Sequence, residues 1–452
     1  MENQRENKLG TMPVIPLVMS LVIPTMIAQF INVLYNVIDR MYIGRIEGYG
    51  DKALTGVGVC FPILILISAF SNLIGAGGAP LAAIQLGKGN RERAEEMLGS
   101  GFACLLFISI GLTVIFQIMK YPVLMAFGAS EQTIPYAMEY LSVYLFGTIF
   151  VQMVLGLNPF ITCQGKSHIA MMTVAIGAVI NIILDPVFIF GLHMGVRGAG
   201  LATVLSQAVS CVWVLCFLSS DKSNIRLQRK FMKLNISILG SIMALGISPF
   251  IMAFTECLIS IVFNSGLQRY GGDIYVGSMT IIQSAVQVMS VFSQSFSQGV
   301  QPVISFNYGA GNKDRVRSAY KFGFAANLTV STVLCLVVAL FPAAFASIFT
   351  DNQELIQMVS HKMPVFFAGW WIFGLQMGVQ GAFLGLGQAK LSLFLACLRK
   401  IILLIPLAMV LPYFLGVNGI YIAEPISDSI SAITAGVLFA LHINKILDKE
   451  PQ

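Results

Sequence analysis

The chain has 452 residues, 56% of them hydrophobic and only 11% charged, with a formal net charge of +6. Soluble domains carry about 25% charged residues, so a soluble globular protein is excluded and a polytopic membrane protein is expected. The positive balance is no nucleic-acid signature, because basic residues gather in alternate loops, where membrane topology alone explains them.

The 32 phenylalanines spread along the whole length favour helices over a barrel, whose strands would alternate polar and apolar. The amino-terminal MENQRENKLG is polar, and the apolar run Met12–Ile43 is too long for the core of a signal peptide, so it reads as the first span. Apolar runs and breakers predict about twelve spans, at 13–43, 53–85, 95–119, 133–157, 168–192, 197–219, 237–266, 274–305, 315–344, 354–384, 390–413 and 417–443. Several exceed the ~20 residues that cross the hydrocarbon, and tilt or kinks at the intramembrane prolines Pro24, Pro62, Pro249 and Pro302 absorb the excess. Residues 221–237 form the one long polar connection, which divides the chain into an N-lobe (1–220), a linker (221–236), a C-lobe (237–443) and a tail (444–452). Loops rich in Lys and Arg, such as Lys88/Arg91/Arg93, Lys222 to Lys233 and Lys313/Arg315/Arg317, place this linker and both termini in the cytoplasm of a plasma-membrane protein. The eight cysteines fall mostly in apolar runs with no metal-type spacing and read as small hydrophobes.

The two halves repeat. Pro80, Gly87, Gly89, Asn90 and Arg93 recur as Pro302, Gly309, Gly311, Asn312 and Arg315 at an offset of 222, and Gly165 recurs as Gly387. Gly195, Gly198, Ala202 and Ser206 recur as Gly416, Gly419, Ala423 and Ser427 at an offset of 221. Two homologous bundles with an even number of spans each have parallel topology, an all-α architecture of two pseudo-symmetric six-helix lobes that suits alternating access.

Charged and polar side chains inside spans are costly and mark function. The first span carries Gln29, Asn32, Tyr35, Asn36 and Asp39 on one helical face, the fifth carries Asn181 and Asp185 four apart, and the sixth carries Thr203, Ser206, Gln207 and Ser210. Two carboxylates with an amide and a hydroxyl make an all-oxygen pocket suited to Na⁺ or to a proton held between crowded acids. Were the ion Na⁺, its ligands would be Asp39, Asn181, Asp185 and Thr203. Arg40 adjoins Asp39 but points about 100° away on the helix. In the second half, Glu256, Ser260 and Asn264 share a face, as do Gln283, Gln287, Ser290, Gln294, Gln298 and Gln301; Glu424 and Asp428 lie four apart beside Pro425. Gln29, Asn32, Glu256, Ser260, Gln283, Gln287, Gln294, Glu424 and Asp428 are candidates for a substrate cavity; helix-to-helix hydrogen bonding is the alternative use of the glutamines. GKGN (87–90) and GAGN (309–312) lack phosphate-loop spacing and read as tight turns. No nucleophile, metal or nucleotide motif is present, so a transporter is expected rather than an enzyme, with no cofactor beyond a coupling ion, H⁺ or Na⁺.

These residues carry a resemblance. LYNVID on the first span, NIILDP on the fifth and Pro80 to Asn90 after the second resemble the multidrug and toxic compound extrusion (MATE) transporters, in particular their MepA-like bacterial branch, over essentially the whole chain. The resemblance implies a cation-coupling pocket of Tyr35, Asp39, Asn181, Asp185 and Thr203, and antiport of bulky, often cationic drugs from the cytoplasm. It also allows a C-lobe acid at Glu256, although the tenth span lacks the acid that other branches use there. A monomer in lipid that exchanges small organic cations, with no nucleic-acid partner, is the expectation. A flippase for lipid-linked oligosaccharide precursors shares the architecture, but its pyrophosphate needs cavity-facing bases; Arg399 and Lys400 are the candidates, and both are long enough to snorkel. A receptor or channel has no need of a coupled acid pair.

Overall fold

The computed structural model describes residues 8–449, with only the backbone for Cys257 and Asp273; residues 1–7 and 450–452, parts of the predicted cytoplasmic termini, lie outside the described residues. The described chain folds into helices joined by short connections, with no strand. The helices of the first half are α1 (Lys8–Thr11), α2 (Val14–Gly44), α3 (Gly50–Gly87), α4 (Arg91–Ala126), α5 (Ile134–Phe146), α6 (Thr148–Thr162), α7 (Ser167–Pro186) and α8 (Gly195–Ser219). Those of the second half are α9 (Ile236–Gly271), α10 (Asp273–Gly309), α11 (Lys313–Leu340), α12 (Pro342–Ala346), α13 (Gln353–Phe366), α14 (Trp370–Gly385), α15 (Ala389–Cys397), α16 (Ile405–Leu415) and α17 (Asn418–Asp448).

Ten helical segments of the described chain are long and apolar enough to cross a membrane, and α5 and α6, bent by 58°, make an eleventh when taken together. The predicted span 354–384 is not one helix: α13 and α14 are joined through a 3₁₀ turn at Phe367–Gly369. Its first part carries Glu354, His361 and Lys362, which dilute the apolar run. The two glycine loops are tight turns. Gly89 and Gly311 adopt φ of +77° and +73°, a left-handed backbone that favours glycine, and the Asn90 side chain caps α4 by accepting from the Arg93 amide at 3.2 Å.

The chain divides into two compact units, Ile23–Phe250 (the N-half) and Met1–Val22 with Ile251–Gln452 (the C-half). The division falls inside α2 and α9, next to Pro24 and Pro249, rather than in the polar segment 221–236. Close packing explains this placement. A Cβ on Gly246 would lie 1.8 Å from the Leu73 carbonyl oxygen, and one on Gly77 would lie 2.2 Å from that of Ile242, so the first part of α9 seats directly on α3. Likewise a Cβ on Gly299 would lie 2.5 Å from a Val22 methyl, so the first turns of α2 seat on α10.

The segment before each of these helices is fastened to the same unit. Asn307 Nδ2 donates to the Leu9 carbonyl at 2.9 Å, and Arg315 Nη2 donates to those of Leu9 and Met12 at 3.1 and 2.7 Å. In the N-half, Gln164 Oε1 accepts from Ser223 Oγ and the Asn224 amide, and Glu95 accepts from the Arg226 amide and Gln228 Nε2. Ile225 and Leu227 bury their side chains in the N-half core. The polar connection is thus a docked strap.

Candidate cation pocket and charged cluster

The N-half pocket is built by α2, α5, α7 and α8. The periodicity of α7 brings Asn181 and Asp185 to one buried face, where Asn181 Nδ2 donates to Asp185 Oδ1 at 3.3 Å. Asp185 stands at the end of regular helix: Pro186 supplies no amide hydrogen, and a π-helical turn follows at Val187–Gly191. Asp39 on α2 meets it, the two carboxyl groups lying within hydrogen-bonding contact. Asp185 is 0% exposed and Asp39 8%. Among the described residues no base forms a salt bridge with either acid, and Arg40 instead lies 5.2 Å over the Phe61 ring. Asp39 Oδ1, Asp185 Oδ2 and Asn181 Oδ1 are buried without a hydrogen-bond partner. Buried polar atoms in folded proteins are overwhelmingly satisfied, so three acceptor oxygens left over on three contacting residues are candidates for a donor set that a proton or small cation would complete.

Tyr35 is within the electrostatic reach of both acids and bonds Asn36, while Asn36 Nδ2 also donates to the Asn32 carbonyl at 2.7 Å. Thr203 lies in the same pocket, but its hydroxyl donates to the Ala199 carbonyl at 3.0 Å. Gln29 is half-buried, and Asn32 and Asn36 are exposed. Two residues that sequence reasoning did not single out complete the wall: Tyr140 and Tyr144 on α5, both buried. Tyr140 reaches the Thr203 hydroxyl and senses Asp39; Tyr144 senses Tyr35. Their spacing of four, which puts both rings on one face of α5, was the available signal.

The C-half holds a different cluster. Arg399 and Lys400 stand on a π-helical segment, Leu398–Leu404, between α15 and α16, and both are buried rather than snorkelling. Arg399 Nε bonds Asp428 Oδ1 at 2.7 Å and its Nη2 bonds Glu424 Oε1 at 2.9 Å, with the Phe373 ring 4.2 Å beneath the guanidinium. Lys400 Nζ bonds Glu256 Oε1 and the Met252 carbonyl, the latter at 3.2 Å. Glu424 and Asp428 are therefore buried ion-pair partners, whereas Glu256, Ser260 and Asn264 form an exposed stripe of α9. On α10, Gln283, Gln287, Gln294 and Gln298 are exposed along one face. Polar groups exposed midway along a span meet water, because hydrocarbon gives them no hydrogen bonds.

Comparison with known proteins agrees with this architecture. The chain is 25% identical over 432 residues to the multidrug export protein MepA of Staphylococcus haemolyticus (strain JCSC1435), covering 94% of each chain. It is 25% identical to that of Staphylococcus aureus (strain N315), covering 95% of this chain and 94% of the relative. A solved outward-facing multidrug resistance MATE family transporter of the MOP superfamily superposes with a TM-score of 0.92 at 22% identity, over 99% of this chain and 100% of that one. The sequence model of the MatE family matches twice, at residues 24–187 and 249–410, once for each copy of the repeat, and the chain therefore belongs to the MatE family of multidrug and toxic compound extrusion transporters.

Proposed function

We propose that this protein is a cation-coupled antiporter that exports bulky, cationic drugs from the cytoplasm by alternating access, and that Asp39 and Asp185 are its coupling acids. The observation that carries the reading is the contact between two buried carboxyl groups with orphaned oxygens and, among the described residues, no salt bridge to a base. Two such groups are not stable side by side as bare anions, so the pocket takes up H⁺ or Na⁺, with Asn181, Thr203, Tyr35 and Asn36 around it. Uptake and loss of that cation gives the pocket two states, which is what a gradient needs in order to drive a conformational cycle. Within the C-half, the exposed stripe of Glu256 and Ser260 and the glutamines at 283, 287 and 294 supply hydrogen bonds and negative charge to cargo. The names of the staphylococcal relatives support drugs as that cargo. The pairing of Arg399 and Lys400 with acids weighs against a flippase, because neither base is free for a pyrophosphate. The protein works as a monomer in the plasma membrane, with both termini cytoplasmic.

Ethidium efflux from drug-sensitive cells tests the reading. At matched membrane levels, wild type exports the dye, while Asp39→Asn and Asp185→Asn lose gradient-driven export by tenfold or more, about 1.4 kcal/mol of coupling or greater. Removing Na⁺, or collapsing the proton gradient, identifies the ion by which treatment mimics the variants. Gradient-driven export that survives Asp39→Asn sinks the proposal.

A further inference from the structure

The C-half cluster has a charge balance that the coupling pocket does not use. Three acids, Glu256, Glu424 and Asp428, face two bases, Arg399 and Lys400. With all five ionised, one negative charge is left over. Its position follows from the geometry. Glu424 and Asp428 are buried and both are committed to Arg399, whereas the Glu256 side chain is 58% exposed and its partner Lys400 is 3% exposed. Lys400 thus approaches the Glu256 carboxylate from the protein side and leaves the water side open. Its ammonium also bonds the Met252 carbonyl, one turn away on the same helix as Glu256, so it keeps a partner when Glu256 is shared.

We propose that Lys400 is a tethered counter-cation on a cargo subsite centred on Glu256, and that it sets the subsite to accept one positive charge. A monocationic aromatic compound cancels the residual charge of the cluster, whereas a dication exceeds it and is repelled by Lys400 behind the carboxylate. This proposal rests on the drug-export reading above and deepens it, by fixing the charge class of the cargo.

Ethidium and propidium make a matched test, since they share a phenanthridinium ring but carry one and two positive charges. Fluorescence titration of the purified full-length protein in lipid nanodiscs gives both affinities. Wild type favours ethidium. Lys400→Met moves the affinity ratio toward propidium by about tenfold or more, the effect of one nearby charge in a partly screened site, and Lys400→Arg keeps the wild-type ratio. A monodisperse Lys400→Met protein with the wild-type ratio, or one that weakens for both dyes alike, overturns the proposal. Should Lys400→Met not fold, Glu256→Gln carries the test: ethidium binding must weaken by about tenfold, and unchanged binding overturns the subsite. Wild type that binds neither dye sinks the export reading together with the subsite, an outcome distinct from an unchanged ratio, which sinks the subsite alone.

Discussion

In the N-half, Asp39 and Asp185 touch each other and, among the described residues, neither forms a salt bridge with a base, whereas in the C-half Glu424 and Asp428 close on Arg399 and Glu256 closes on Lys400. The family model matches both halves, and both bury acids inside apolar spans, where a charge is costly. They solve that problem in opposite ways. The C-half carries its own cations on side chains, so its two buried acids, Glu424 and Asp428, are paired as folded. The N-half leaves acceptor oxygens unsatisfied, and on the proposed reading it takes its cation from solution. Only the second arrangement has an occupancy that depends on an ion gradient, which is why coupling is assigned to it. The intramembrane acids of the two halves are therefore paired differently despite the repeat they share.

The largest test of this contrast is one of stability. Arg399→Met strands Glu424 and Asp428, and removing one member of a buried ion pair costs about 3–5 kcal/mol, so its melting temperature in detergent falls steeply or the protein fails to assemble. Asp185→Asn does the reverse. The amide removes one of two crowded carboxylates and can donate to Asp39, which relieves a buried orphan at a gain of about 1 kcal/mol. Thermal unfolding of the two variants in the same detergent checks the opposite signs. A fall for Asp185→Asn as large as that for Arg399→Met would erase the distinction between the halves.

The sequence exposed the contrast only in part. Asp39 and Asp185 were visible because each interrupts a long apolar run, and their asparagine companions because helical period makes same-face residues legible. The glutamine stripe of α10 was legible for the same reason. Partnerships across the fold were not: Lys400 lies 144 positions from Glu256, and no local pattern records that distance. Arg399 and Lys400 therefore read as bases long enough to snorkel, and Glu424 and Asp428 as cavity candidates. Tyr140 and Tyr144 were passed over because an aromatic ring in a span has an ordinary apolar reason to be there, and only contact with Thr203 and the electrostatic reach of Asp39 and Tyr35 distinguish them. The repeat gave the duplicated architecture, but not the points where the two units divide. Continuous helices run through both, and the prolines at 24 and 249 are what the sequence offered there. The broken span at 353–385 was obscured because its second part, rich in aromatics, carries the hydropathy of the whole.

The smallest effect tests whether the N-half pocket is one hydrogen-bonded unit. Tyr140→Phe removes the hydroxyl that reaches Thr203, and Thr203→Val removes its partner while keeping the side-chain volume. Each change leaves Asp39 and Asp185 in place, so export persists. The acids nonetheless sit in a less ordered wall, and the concentration of coupling ion needed for half-maximal ethidium efflux rises severalfold, in keeping with about 0.5–1.5 kcal/mol for one hydrogen bond. Because both variants break the same contact, the double variant should be no worse than the more impaired single one, and the shortfall from additivity measures the contact. Additive losses would mean that the two hydroxyls act separately. Tyr140 would then belong to the packing of α5, and the pocket would be confined to α2, α7 and α8.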